Sequence, residues 1–422
     1  LTTTKSKTFT AYEAFIIAVL TILQFTIILD FMVLSPLSAI LLEEMDITTA
    51  QFGLVVSAYA FSAGAAGLLA AGFADRFDRK KLLLFFYGGF IIGTFLCGIA
   101  PTYHLLLGAR IVTGLFGGVI GSVSYAIITD IFALKVRGRV MGFIQMAFAT
   151  SQVLGIPIGL YLANWMDWHA PFLLIVAVSI IVFIGIVFKM RAVDAHLSLQ
   201  TKQSPFRHLT KTVSQLRYLK GFGATTLLST GGFMLMPFGA AFSVNNLGIT
   251  LEELPLVYMV TGIVSMIGGP IIGRLSDKIG KMRMFVIGSL LSLVLVVYYT
   301  NLGPTPLWFL ILLSSVLFLG ITSRMIASSA LITAVPDPSD RGAFMGVNSS
   351  VAQVSGGIAS AIAGMIVYQT ETGYIERYPV LGIIVAISMI ITIGMMQMIN
   401  RDIKRRQEEE RALEAAAEIA PQ

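Results

Sequence analysis

The sequence is poor in charge. Aspartate, glutamate, lysine and arginine make up 12% of its 422 residues, where a soluble protein carries about 25%. So little charge cannot cover a water-facing surface, which excludes a soluble enzyme and a disordered chain. Cysteine is nearly absent as well. Cys97 stands alone, so no internal disulfide forms and a secreted disulfide scaffold is excluded; inside its apolar run this thiol reads as a small core residue. Of the four histidines, His196 and His208 lie in a polar central stretch and His104 and His169 near turns, and no Cys/His group has metal-ligand spacing. A Gly-x-x-x-x-Gly-Lys-Ser/Thr loop is missing, which excludes an ATP-driven pump. No cofactor is expected. Clustered titratable residues are also missing, which argues against an integral-membrane enzyme.

What the sequence has in excess is apolar surface. Hydrophobic residues reach 56% and 40 glycines add to them; the mean hydropathy is +0.84. A helix needs about 20 apolar residues to cross about 30 Å of hydrocarbon. Apolar runs of that kind fall near 14–42, 50–73, 80–100, 103–130, 138–164, 169–189, 219–245, 254–276, 282–301, 306–334, 342–369 and 378–400. The chain therefore reads as an all-α integral membrane protein with twelve transmembrane helices. None of the runs alternates like an outer-membrane barrel strand. The first lacks a small-residue cleavage site and reads as a retained span.

Basic residues orient these spans. Twelve crossings leave both termini on one side. That side and its loops hold 26 of the 29 Lys and Arg, and the opposite side holds only Arg377; Arg110 and Arg324 lie inside spans. The termini are accordingly expected in the cytoplasm. The net charge of +6 is then an insertion signal with affinity for anionic headgroups of the bilayer, and nucleic acid is not an expected partner.

The longest loop divides the spans six and six. This gives an N-terminal bundle at 1–190, a linker at 191–218 that suits a short amphipathic surface helix, a C-terminal bundle at 219–400 and a charged tail at 401–422. The two bundles repeat one another. Leu-Asp-Phe-Met-Val-Leu-Ser-Pro at 29–36 pairs with Gly-Gly-Phe-Met-Leu-Met-Pro at 231–237. The loop at 71–80 pairs with 273–282, and Arg-Gly-Arg-Val-Met-Gly-Phe at 137–143 with Arg-Gly-Ala-Phe-Met-Gly-Val at 341–347. Three matches share one offset and one order, as expected of parallel repeats with a site between them at mid-depth.

Asp30 is the sharpest single residue. It lies near the middle of span 1, where a charge costs about 2.5–3.5 kcal/mol to insert, and a carboxylate at that depth suits a cavity-facing proton carrier. Arg110 in span 4 does not deprotonate; it can tune a carboxylate, hold an anion or tether backbone carbonyls. Arg324 in span 10 belongs to no repeat, and the residues leave three roles open: binding substrate anions, pairing with Asp30, or packing its own half. Candidate cavity-lining residues are Gln24, Tyr59, Tyr125, Gln145, Gln152, Phe233, Met236, Tyr258, Asn348 and Gln353. Glycines at 114, 117, 118 and 121 permit close helix approach.

Taken together, these features resemble the major facilitator superfamily over about residues 14–400. Asp75, Arg76, Arg79 and Lys80 fit its signature loop, with Ala71 and Asp78 departing where glycine is usual; Gly273, Asp277, Lys278, Gly280 and Lys281 fit its second copy. Arg110-Ile-Val-Thr-Gly114 resembles the family's intramembrane arginine motif. Gly155, Pro157 and Gly159 form part of the glycine-proline motif common among its antiporters. The chain looks most like the twelve-span bacterial drug–proton antiporters and sugar-efflux proteins. The resemblance implies two six-helix pseudo-symmetric bundles, the proton as coupling ion, and a role for Arg110 in coupling. It also implies a latch in which Asp75 pairs with the start of span 11 and Arg79 with Asp130, with Arg76, Asp277, Lys278 and Arg341 beside them. The expected function is proton-coupled efflux of small amphipathic solutes or drugs, by a monomer. Two alternatives stay open: a transporter of a sugar, nucleoside, amino acid, organic anion or lipid, and a membrane receptor or scaffold that moves nothing.

Overall fold

A computed structural model describes residues 9–70, 74–194, 197, 214–337 and 340–419, the side chains of Asp75, Leu134, Lys135, Gln407 and 410–419 excepted. Twelve helices among them are long and apolar enough to cross a membrane. Spans 1 to 6 are Ala11–Val33, Thr49–Ala70, Arg79–Cys97, Tyr103–Ile131, Val136–Trp165 and Ala170–Lys189; spans 7 to 12 are Leu216–Asn245, Leu254–Ile279, Lys281–Thr300, Leu307–Ile332, Arg341–Ile366 and Tyr378–Arg406. Spans 1 and 7 are each broken near one end, at the prolines of the repeated segment. Span 1 stops at Val33 and resumes as a short helix at Ser38–Glu44, past Pro36. Span 7 stops at Leu235 and passes through a tight turn at Met236–Phe238, around Pro237, into Gly239–Asn245. Proline removes a donor and crowds the preceding turn, so each helix yields there.

Span 5 bends in another way. Residues Ser151–Gly155 form a π-helical turn, and Pro157 follows at the start of the next helical piece. A wide turn relieves the clash that the proline imposes on the carbonyl four residues earlier. Gly155 and Gly159 then lie flat on span 1. A β-carbon at Gly155 would sit 2.7 Å from the Leu29 side chain, and one at Gly159 3.0 Å from Val33. The motif residues thus set the height and distance of the helix that carries Asp30.

Glycines pack span 4 in the same manner. A β-carbon at Gly114 would lie 2.4 Å from the Tyr59 carbonyl oxygen, one at Gly118 2.4 Å from that of Ala63, and one at Gly93 of span 3 2.7 Å from the Thr113 nitrogen. Gly121 is different: nothing lies within 4 Å of its β-carbon direction, so it does not serve close approach as the sequence pattern suggests.

The halves meet along spans 2 and 11, with spans 5 and 8 as a second contact. On the face away from the termini the joint is closed. Thr49 donates to the carbonyls of Val367 (2.6 Å) and Gly364 (3.2 Å), and Ser57 to that of Gly357 (2.7 Å). The Ala241 amide donates to Ser38 Oγ (3.3 Å), and the Phe52 ring meets Phe238 edge-on at 5.8 Å. On the termini face, spans 4 and 10 make at most glancing contact. There Tyr125 is 42% and Met325 53% exposed.

Span 12 continues unbroken to Ile419, so the charged tail extends that helix; Arg406 anchors it through Asp337 and the carbonyls of Ala334 and Val335. The loop after span 11 holds a two-residue hairpin pairing Tyr368 with Glu376 and Gln369 with Ile375. Most of the expected linker at 191–218, with its surface helix, falls at 195–196 and 198–213, outside the described residues.

Candidate functional site

Spans 1, 3 and 4 bring one charged pair together inside the first half. Arg110 Nη1 donates to Asp30 Oδ2 at 2.8 Å and lies 3.4 Å from the Asp30 backbone carbonyl. Thr94 Oγ1 of span 3 donates to the other carboxylate oxygen, Oδ1, at 3.1 Å. All three residues are fully buried. The Tyr59 ring of span 2 covers the guanidinium, 4.6 Å from ring centroid to Cζ. A carboxylate in lipid-depth surroundings is tolerated when a cation and a hydroxyl satisfy both its oxygens.

This arrangement corrects two readings. Asp30 does not face an open cavity in this state, since Arg110 and Thr94 occupy its two oxygens. Arg324 does not pair with Asp30, because Arg110 already does. Thr94 carried no sequence signal beyond being the lone aliphatic hydroxyl of span 3.

An aromatic chain leads from the pair to the other half. Tyr59 lies 5.3 Å from Phe31, and Phe31 lies 5.6 Å from Phe233 of span 7, centroid to centroid. Phe31 and Phe233 are matching residues of the repeat, so the pseudo-symmetry axis passes close to their contact. Phe233 in turn packs on Gly356 of span 11, where a β-carbon would sit 2.8 Å from its ring.

The remaining cavity candidates are spread along the joint. Tyr125 and Gln145 are exposed; Gln24, Gln152, Met236, Tyr258, Asn348 and Gln353 are half-buried. Asn348 accepts a 2.7 Å hydrogen bond from Thr225 within the second half. The Gln152 backbone contacts Gly262 of span 8, and Gln353 contacts Gly64 of span 2.

Arg324 is buried in the second half, 6% exposed. Its Nε and Nη2 have no hydrogen-bond partner. Its Cζ lies 5.9 Å from the Phe285 ring of span 9, and its Nη1 comes within 3.9 Å of where a β-carbon of Gly231 would stand.

On the termini face, Arg79 Nε pairs with Asp130 Oδ2 at 3.2 Å and Nη1 donates to the Ala74 carbonyl at 3.1 Å. This contact lies within the first half. Asp78, at a position where the resembling family has glycine, caps span 3 through the Lys80 amide (2.9 Å) and receives the Val193 amide (3.0 Å). Arg76, Lys278 and Arg341 are exposed, and Asp277 pairs with Lys281 one turn on. The Asp75 side chain lies outside the described residues. The ion pairs seen among described residues each join groups of the same half.

The Major Facilitator Superfamily profile matches residues 20–323 and 221–420. The chain belongs to this superfamily. It is similar to the MFS-type transporter YceJ of Bacillus subtilis (strain 168), with 27% identity over 91% of this chain and 96% of that one. It is also similar to Multidrug resistance protein 2 of the same organism, at 24% over 61% and 67% of the two chains. The probable sugar efflux transporter of Helicobacter acinonychis (strain Sheeba) matches at 21% over 79% and 83%. Among solved structures, a bacterial homolog of the human lysosomal transporter Spinster, inward-facing and occupied, superposes with TM-score 0.71 at 15% identity, covering 93% of this chain and 98% of that one. The nucleoside transporter NupG gives 0.71 at 13%, covering 91% and 99%. The chain is therefore a multi-pass membrane transporter of this superfamily and not an enzyme.

Proposed function

We propose that this transporter is a proton-coupled exporter of small amphipathic solutes, working as a monomer in the bacterial inner membrane with both termini in the cytoplasm. The observation that carries the coupling is the buried Asp30–Arg110 pair. A carboxylate held by one arginine and one hydroxyl is a two-state element. Deprotonated, it binds Arg110 and closes spans 1, 3 and 4 on each other. Protonated, it loses the charge attraction and releases Arg110, whose other neighbour is Tyr59, next in line to the Phe31–Phe233 contact between halves. A proton on Asp30 therefore biases which closure of the two bundles is favoured, provided the carboxyl meets water in one of the two orientations. The lopsided distribution of Lys and Arg supports the cytoplasmic placement of the termini. The names of the multidrug and sugar-efflux relatives favour export over uptake.

The driving force is sufficient. One charge crossing 100 mV yields about 2.3 kcal/mol and one pH unit about 1.4 kcal/mol, together several hundred-fold accumulation per proton.

The test is solute-evoked proton movement in proteoliposomes with a trapped pH dye, using a panel of amphipathic dyes. Wild type should acidify or alkalinise the lumen on solute addition, and Asp30→Asn should not, even in the fraction recovered folded by size-exclusion chromatography, since the variant leaves Arg110 without its counter-ion. Proton movement that persists in Asp30→Asn removes the carboxylate from the mechanism. A protein that inserts but evokes no proton movement with any solute would favour the receptor reading.

A further inference from the structure

Four side chains with full charge are buried among the described residues: Asp30, Arg79, Arg110 and Arg324. Arg110 neutralises Asp30 and Asp130 neutralises Arg79. Among the described residues Arg324 has neither an ion pair nor a hydrogen bond, and its Nε and Nη2 are both sealed from solvent. These two nitrogens share one edge of the guanidinium, the edge that takes a carboxylate side-on through two parallel N–H···O bonds. A buried cation without a counter-ion is costly, and among the helices of a transporter a ligand's own charge can compensate it.

The repeat indicates where that charge belongs. Aligning Phe31 with Phe233 places Gly232 opposite Asp30. In the first half an arginine of span 4 reaches the carboxylate of span 1. In the second half an arginine of span 10 reaches the matching stretch of span 7 and meets Gly231, beside the position that holds no acid. Helical side chains lean toward the helix N-terminus, which carries the Arg324 head from the inner third of span 10 back toward mid-depth, level with the broken spans. No β-carbon blocks the approach at either glycine: 3.9 Å separates the Gly231 direction from Nη1, and nothing lies within 4 Å at Gly232.

We propose that Arg324 is the counter-charge for an anionic oxygen group on the transported solute, a carboxylate that meets the guanidinium beside Gly231. The solute's acid fills the role in the second half that Asp30 fills in the first. This rests on the transporter reading above and narrows it to organic anions.

The test uses purified full-length protein and three matched probes: 2-naphthoate, 2-naphthamide and 2-naphthylmethylammonium. Naphthoate should raise the unfolding temperature, with the amide and the ammonium weaker by about tenfold or more in apparent affinity, the loss expected for a charge-assisted hydrogen bond. Arg324→Gln and Gly231→Asp should both lose the naphthoate response, the second because it supplies an internal carboxylate. Arg324→Lys should keep a weakened one. Without any probe, both Arg324→Gln and Gly231→Asp should unfold at a higher temperature than wild type, since each relieves an unpaired buried charge; a merely structural arginine would give the opposite shift. The proposal is overturned by equal responses to the three probes, by no response to naphthoate, or by a response that survives either variant. Proton movement through Asp30 is read in the same variants. Loss of the naphthoate response with coupling intact in wild type supports the site; a naphthoate response that follows Arg324 while Asp30→Asn still moves protons would leave the site standing and discard the coupling reading.

Discussion

The two halves of this transporter share a scaffold and differ in chemistry. Each begins with a helix that breaks at a proline, Pro36 or Pro237, and the matching Phe31 and Phe233 touch at the centre. The first half closes its ionic account internally through Asp30, Arg110 and Thr94. The second half has glycine opposite the acid and an arginine left over. Duplication accounts for the shared scaffold, and the departures from it mark where we propose that protons and cargo are handled. Asymmetry at an otherwise repeated position is the more informative signal.

The largest effect that would sharpen this contrast comes from removing Arg110. Arg110→Leu strands a buried carboxylate, and breaking such a pair costs about 3–5 kcal/mol; little folded protein should be recovered by size-exclusion chromatography. The double variant Asp30→Asn/Arg110→Leu should regain much of that yield. If Arg110→Leu is as stable as wild type, the pair is not what holds spans 1, 3 and 4 together. By contrast, Arg324→Leu should not lower yield at all, because no partner is left behind.

Steric substitutions should follow the same division at smaller size. Gly114→Val pushes span 4 off the Tyr59 backbone, an overpacking worth about 1–3 kcal/mol, visible as a lower unfolding temperature. Gly121→Ala, about two turns further along, meets open space and gains helix propensity of under about 1 kcal/mol; its unfolding temperature should hold or rise slightly. Equal losses at both glycines would mean that span 4 is packed along its full length and the termini face is closed. Smallest of all, Arg79→Gln breaks the pair of this buried arginine with Asp130, the more exposed partner, on that face. Unfolding should move by about 1 kcal/mol or less, and a transport assay should slow without a change in the preferred solute.

Much of this was legible in the sequence. All twelve spans follow from apolar runs bounded by charge or turns, because lipid imposes one length and one polarity on every helix. Asp30 and Arg110 stand out for the same reason. Their pairing did not, since it depends on spans 1 and 4 being neighbours at the same depth, and a linear reading left Arg324 as an equal suitor. Thr94 was invisible: hydroxyls in apolar helices usually bond their own backbone, as Thr113 does with Ala109, and only the fold turns Thr94 toward span 1. The glycines at 114, 117, 118 and 121 looked alike, yet the helices diverge before Gly121. The hairpin near Tyr368 is too short to leave a pattern, and the long helix after Ile399 continues because Arg406 finds Asp337 on another loop.

The central claim is that Asp30 takes up and releases a proton during the cycle. Difference infrared spectroscopy of the purified protein, on acidification and on adding a transported solute, measures this at the carboxyl itself. The account predicts a protonated-carboxyl carbonyl band that appears in wild type and is missing in Asp30→Asn. A band that is unchanged by that substitution, or an Asp30 that stays ionised under every condition while solute is still exchanged for protons, would contradict it.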